Sequence, residues 1–117
     1  MSNRSFLSIL KLSIFYTVIA FTSNVYADPV RAAFVYISPT GDHGWTYAHH
    51  QGAQYVKKMM GDGVMITEIE SVPENSDSER VITSLARKND IIFTTSFGYM
   101  NPTIKVAKRY PDVKFEH

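Results

Sequence analysis

The sequence predicts an α/β protein: an open parallel sheet with helices on both faces, in the order β-α-β-α-β-α-β. Two observations carry this prediction. Short, nearly continuous apolar runs, the pattern of strands buried on both faces, alternate with stretches of helical periodicity. The connections between them are only a few residues long, which leaves helical crossovers as the route from one parallel strand to the next.

Arg31–Ile37 (RAAFVYI) reads as the first strand and Ser38–Gly44 (SPTGDHG) as a loop, by its proline and two glycines. From Trp45 to Met60 the apolar or small positions are 45, 48, 52, 53, 56, 59 and 60, the spacing of a helix with one buried face. Lys57 and Lys58 suit the negative end of its dipole, and Gly61 and Gly63 end it. Val64–Val72 alternates and breaks at Pro73, a second strand. Ser76 followed by Glu79 fits a capping box, and Val81, Ile82, Leu85 and Ala86 share one side of the helix that follows. Asp90–Thr95 (DIIFTT) is a third strand, Ser96–Tyr99 a loop, and Asn101-Pro102 a cap with a first-turn proline. That helix stops at Pro111, and Val113–His117 starts a fourth strand. No internal repeat or low-complexity tract is present.

Composition narrows the function classes. The chain has 117 residues, 44% hydrophobic and 20% charged, which is one small globular domain and excludes wholesale disorder. The absence of cysteine excludes a disulfide scaffold, a thiol nucleophile, a Cys-ligated zinc site and a lipid-bearing cysteine. A formal net charge of +1 argues against nucleic acid as a partner, since neutralising phosphates needs a surplus of Lys and Arg.

Residues 1–27 are laid out as a cleavable export signal. Arg4 and Lys11 precede the apolar run Leu12–Thr22, and Val25-Tyr26-Ala27 is a small-x-small site before Asp28-Pro29. The run is shorter than the roughly 20 apolar residues a bilayer span needs. An uncleaved amphipathic helix is the alternative reading. With two of the 12 bases removed, residues 28–117 carry 10 bases against 11 acids, a net of −1. An exported protein without a lipid anchor is expected in a periplasm.

In open α/β sheets ligands bind outside the carboxyl ends of the strands. Three loops lie there: Ser38–Gly44, Val72–Asn75 and Ser96–Met100. Trp45 and Phe97 supply aromatic faces for a flat ring, and Asp42 with the nearby hydroxyls supplies polar contacts. Gly41-x-x-Gly44 is neither a dinucleotide fingerprint nor a phosphate loop, and an Asp inside it repels phosphate, so the loop suits a neutral or weakly polar ligand. Other roles stay open. Trp45 is in register with the apolar stripe of its helix and also reads as a core anchor. Asp42 also reads as a helix cap. His49 and His50 point to different helix faces, which does not make a chelate. No Ser/His/Asp set or paired carboxylates assemble; Asp42 and Glu74 stand on neighbouring loops with nothing to activate either.

The stretch Phe34-Val35-Tyr36 through Gly41-Asp42-His43-Gly44-Trp45-Thr46-Tyr47-Ala48-His49 resembles the first strand and loop of the basic membrane protein family. These are solute-binding proteins of ABC importers with the type 1 periplasmic-binding fold. Val72-Pro73-Glu74 with Glu79–Ile82, Asp90–Met100 and Pro111–His117 are similar to the same group. The resemblance implies a two-lobed protein of which residues 28–117 are an incomplete N-terminal lobe, a fragment ending in strand four. It implies capture of a purine-like nucleobase or nucleoside, with Trp45 and Phe97 flanking the ring and Asp42 making a polar contact. Tyr47, Ser38, Ser96 and Gly98 are weaker candidates. The implied partner is an ABC permease at the inner membrane; no cofactor, metal or catalytic residue is expected, and a monomer is. Alternatives are a periplasmic sensing lobe for a membrane receptor, or a small α/β nucleoside-processing enzyme, which needs an acid/base pair.

Overall fold

A computed structural model describes residues 27–117. The export-signal expectation falls, Ala27 apart, outside the described residues. Four parallel strands alternate with three helices: β1 (Val30–Val35), α1 (Trp45–Met60), β2 (Val64–Ile69), α2 (Ser76–Ala86), β3 (Ile91–Thr94), α3 (Met100–Arg109) and β4 (Lys114–Glu116). The sheet order is β2-β1-β3-β4. Val30 pairs with Val64, and Ala32 with both Ile66 and Ile91.

The alternation along β1 explains why both faces are covered. Ala32, Phe34 and Tyr36 face one side, where Ala53 and Val56 of α1 pack with Val64 of β2. Ala33 and Val35 face the other, where Ile82, Leu85 and Ala86 of α2 and Val106 of α3 pack with Ile92. Ile82, Ile92 and Val106 are fully buried, and each such side chain contributes about 1.5–3 kcal/mol. Tyr99 and Tyr36 are buried with their hydroxyls bonded, Tyr99 to the Val72 carbonyl and Tyr36 to Glu68 at 2.8 Å. A buried phenol without a partner would cost the desolvation of its hydroxyl, so these bonds are what make the positions tolerable.

The helices depart from the sequence reading in three places. α2 is capped by Asn75, whose side chain accepts from the Asp77 N–H at 2.8 Å, not by a Ser76–Glu79 box. Asn75 has the extended backbone a cap requires, whereas Ser76 is already helical. α3 begins at Met100, with Tyr99 before it, because a short 3-10 turn at Phe97–Tyr99 runs directly into the helix. Asn101 and Pro102 therefore lie inside its first turn, where the missing proline N–H costs nothing. The buried residues of α1 are Thr46 and Ala53, with Val56 half-buried; Trp45, Met59 and Met60 are exposed. The apolar stripe read from the sequence is rotated away from the core. Burial of Thr46 is possible because its hydroxyl lies 2.8 Å from that of Ser38 and accepts from the Ser38 N–H.

Glycine does end α1 as expected. Gly61 takes φ +54, a conformation that favours glycine. Lys57 Nζ bonds the carbonyls of Gly61 and Val64 at 2.9 and 3.0 Å, which helps satisfy the helix end.

Candidate functional site

The connections diverge at β1. The chain leaves β1 through α1 over one face to reach β2, then returns through α2 over the other face to reach β3. The crevice outside the carboxyl ends of β1 and β3 is where sheets of this kind place ligands. A hollow of about 520 Å³ lies there, within the size range of small-molecule sites.

Its floor is the stacked pair Phe34 and Phe93, with ring centroids 4.6 Å apart and planes inclined by 9°. Trp45 and His49 come from the start of α1, one helical turn apart, and meet edge to face at 4.8 Å. Thr95, Ser96 and Phe97 form the rim after β3, with Glu116 and His117 beyond. Trp45 is 63% exposed and Phe97 83% exposed. Large aromatic rings left this open at a sheet's carboxyl edge are surface that a ligand can cover. Trp45 is therefore not a core anchor: its indole N–H donates to the Thr95 carbonyl, which turns the ring toward the hollow.

Carboxylates hold the three loops together. Glu70, just past β2, accepts from the Thr40 N–H and hydroxyl at 3.1 and 2.9 Å, tying the first loop to the second. Glu74 accepts from the Ser96 hydroxyl and from the Gly98 N–H at 2.8 Å, tying the second to the third. These two donors hold the Glu74 carboxyl below its ordinary range, Ser96 first and Gly98 second.

Asp42 is engaged within its own loop. It accepts from the Gly44 N–H at 2.9 Å and the Ser38 hydroxyl at 2.7 Å, and these bonds, Gly44's first, lower its pKa. It is not the helix cap, which is Gly44; it closes the Asp42–Gly44 turn that leads into α1. Between them His43 sits at φ +57 with its ring 4.7 Å from that of Tyr47.

The structure thus brings Trp45, Phe97 and Ser96 together around one hollow. Ser38 and Asp42 bond each other in the first loop, outside the hollow's lining, and Tyr47 packs on His43 away from it. Gly98 gives its N–H to Glu74. Asp42 and Glu74 are each engaged by separate donors on separate loops and form no acid/base pair. The sequence reading missed His49, Phe93 and Thr95. The spacing of His49 four residues after Trp45 was the available signal, whereas Phe93 and Thr95 needed the β1–β3 pairing.

Residues 29–117 match the model of the Bmp family, described as ABC transporter substrate-binding protein PnrA-like. The chain belongs to this family. Among relatives of the PnrA-like chain, it is 53% identical over 91 residues to a purine-binding protein of Brucella abortus, covering 77% of this chain and 26% of that one. It is 45% identical over 91 residues to a candidate ABC transporter glucose-binding protein of Haloferax volcanii, covering 77% and 23%. The chain thus spans about a quarter of the length of these curated relatives. A solved ABC transporter solute-binding protein from Conexibacter woesei superposes with a TM-score of 0.66 at 24% identity, covering 74% of this chain and 28% of that one. One from Aeropyrum pernix gives 0.62 at 24% identity, covering 74% and 24%. The fold is that of part of a lobe of such proteins. The family and its structural neighbours are solute-binding proteins of ABC transporters.

Proposed function

We propose that this PnrA-like chain contributes the N-terminal-lobe half of a site that captures a purine-like nucleobase or nucleoside for an ABC importer. The observation that carries the reading is the pair Trp45 and Phe97, both exposed, on one hollow at the β1–β3 crevice. Aromatic rings prefer offset or edge contacts with other flat π-systems, which suits a heterocycle lying between them. The rim adds hydrogen-bonding groups from Thr95, Ser96 and His49 for the ring's polar edge. The similarity to a purine-binding relative supports the same ligand class.

The rest of the proposal follows from export. Residues 1–27 act as a cleavable signal, the mature chain starts at Asp28 and works in the periplasm, and the partner is an inner-membrane permease that receives the ligand. The protein captures and releases its ligand without chemistry on it.

Calorimetric titration of the full chain with adenine, guanine, adenosine, guanosine and glucose tests the ligand class. Saturable binding of at least one purine compound, weakened by Phe97→Ala, is expected. Binding of glucose with no response to any purine would overturn the reading in favour of a sugar.

A further inference from the structure

Phe97 is the most exposed large apolar residue among the described residues, so little packing fixes its direction. The residues on either side of it are fixed. The Ser96 hydroxyl and the Gly98 N–H both donate to one oxygen of Glu74, Oε1, from a loop 22 and 24 residues away in sequence. The approach is close enough that the clamp as it stands needs glycine: a Cβ on Gly98 would run into the Glu74 carboxyl end. Gly98 does not have a left-handed backbone, so the requirement is space for Glu74 and not conformational freedom.

We propose that Glu74 is a positioning residue for Phe97: it holds the Ser96 side chain on one side of that ring and the Gly98 backbone on the other, and so presets the wall against which the ligand lies. The proposal deepens the ligand reading above and rests on it for its effect on binding. Presetting matters because a ring that must be ordered at the moment of capture subtracts the ordering cost from affinity. The carboxylate is suited to the work, since it accepts two donors at once and charge-assisted bonds are stronger than neutral ones. Glu74 itself is absent from the hollow's lining, so its action on a ligand runs through Phe97.

Two independent substitutions break the clamp. Glu74→Ala removes the acceptor. Gly98→Ala pushes away the end of a flexible side chain and is expected to leave the fold intact, because the three atoms its Cβ would meet first all belong to the Glu74 side chain. Glu74→Gln keeps an oxygen for both donors. In the full chain, Glu74→Ala and Gly98→Ala are expected to weaken binding of the best purine ligand about tenfold, with Glu74→Gln within about twofold of wild type. In a Phe97→Ala background, Glu74→Ala should weaken binding no further, the outcome that separates positioning through Phe97 from a general structural role. Full affinity in Glu74→Ala, or effects of Glu74→Ala and Phe97→Ala that simply add, would overturn the proposal. Amide exchange reads the clamp without any ligand: the Gly98 N–H should exchange at least about tenfold faster in Glu74→Ala, with Ile92 and Phe93 unchanged. An unchanged Gly98 rate would also overturn it. A Gly98 rate that responds in a protein binding no purine would sustain the clamp and sink the ligand reading alone.

Discussion

The Trp45 indole N–H donates to the Thr95 carbonyl, and this bond joins the start of α1 to the end of β3 across the crevice between them. It reaches over 50 residues of sequence and fixes the ring as a wall of the hollow. Trp45→Phe keeps an aromatic face but removes the donor. Stability should fall by about 0.5–1.5 kcal/mol, the usual net value of one hydrogen bond, read from the urea midpoint. Ligand affinity should fall less in Trp45→Phe than in Trp45→Ala, because the stacking surface is retained. Equal losses in the two would show that the ring contributes nothing beyond the bond.

Acid should destabilise the protein through its hydrogen-bonded carboxylates. Asp42 is held low by the Gly44 N–H and the Ser38 hydroxyl, and Glu74 by the Ser96 hydroxyl and the Gly98 N–H. Asp90 is lowered to about 2, first by the Arg31 side-chain bond at 2.7 Å and then by the Arg31 N–H. Each folded-state pKa lies below its unfolded value, so each contribution is present above the unfolded pKa, about 4. It is lost as pH falls through the folded one. Unfolding midpoints should be level above about pH 5 and drop progressively toward pH 2. Asp90→Asn should flatten part of that drop. Midpoints that rise as pH falls through this window would contradict the assignment.

Base acts on the core instead. Burial, with the Glu74 charge second, pushes the Tyr99 phenol up to about 12, and burial foremost also raises Tyr36, followed by its bond to Glu68. A raised folded pKa gives stability that is intact below about pH 10, the unfolded value, and is lost as pH rises toward 12. Tyr99→Phe removes the donor to the buried Val72 carbonyl and should cost about 1–3 kcal/mol at neutral pH. Denaturant titration checks the cost. Its alkaline limb should lose steepness in the variant.

Much of the architecture was legible because β1 is covered on both faces and β3 is buried on one face and half-buried on the other. Ala32–Tyr36 and Ile91–Phe93 therefore read as unbroken apolar runs, and the short connections left a parallel sheet as the arrangement. The face of α1 was not legible. Ala48, Gly52 and Met59 look like a core stripe, yet the helix buries Thr46, whose hydroxyl is satisfied by Ser38 in the preceding loop. A polar residue that finds its partner from another segment is invisible to periodicity. The same holds at the site. Trp45 and Phe97 stand out as aromatics beside glycine, whereas the roles of Glu70 and Glu74 depend on which loops are neighbours, and that is set by the strand order β2-β1-β3. Asp42 illustrates the converse: its position in a glycine loop suggests a ligand contact, but both its oxygens are engaged by Ser38 and Gly44.

The central claim is that a flat heterocycle lies between Trp45 and Phe97. Trp45 is the sole tryptophan, so its emission reports that wall of the hollow without labelling. Titrating the full chain with adenine and adenosine while following this emission should give a saturable change that shifts to higher ligand concentration in Phe97→Ala. Emission that stays constant to millimolar concentrations of every purine tested, in a protein shown to be folded, would contradict the claim.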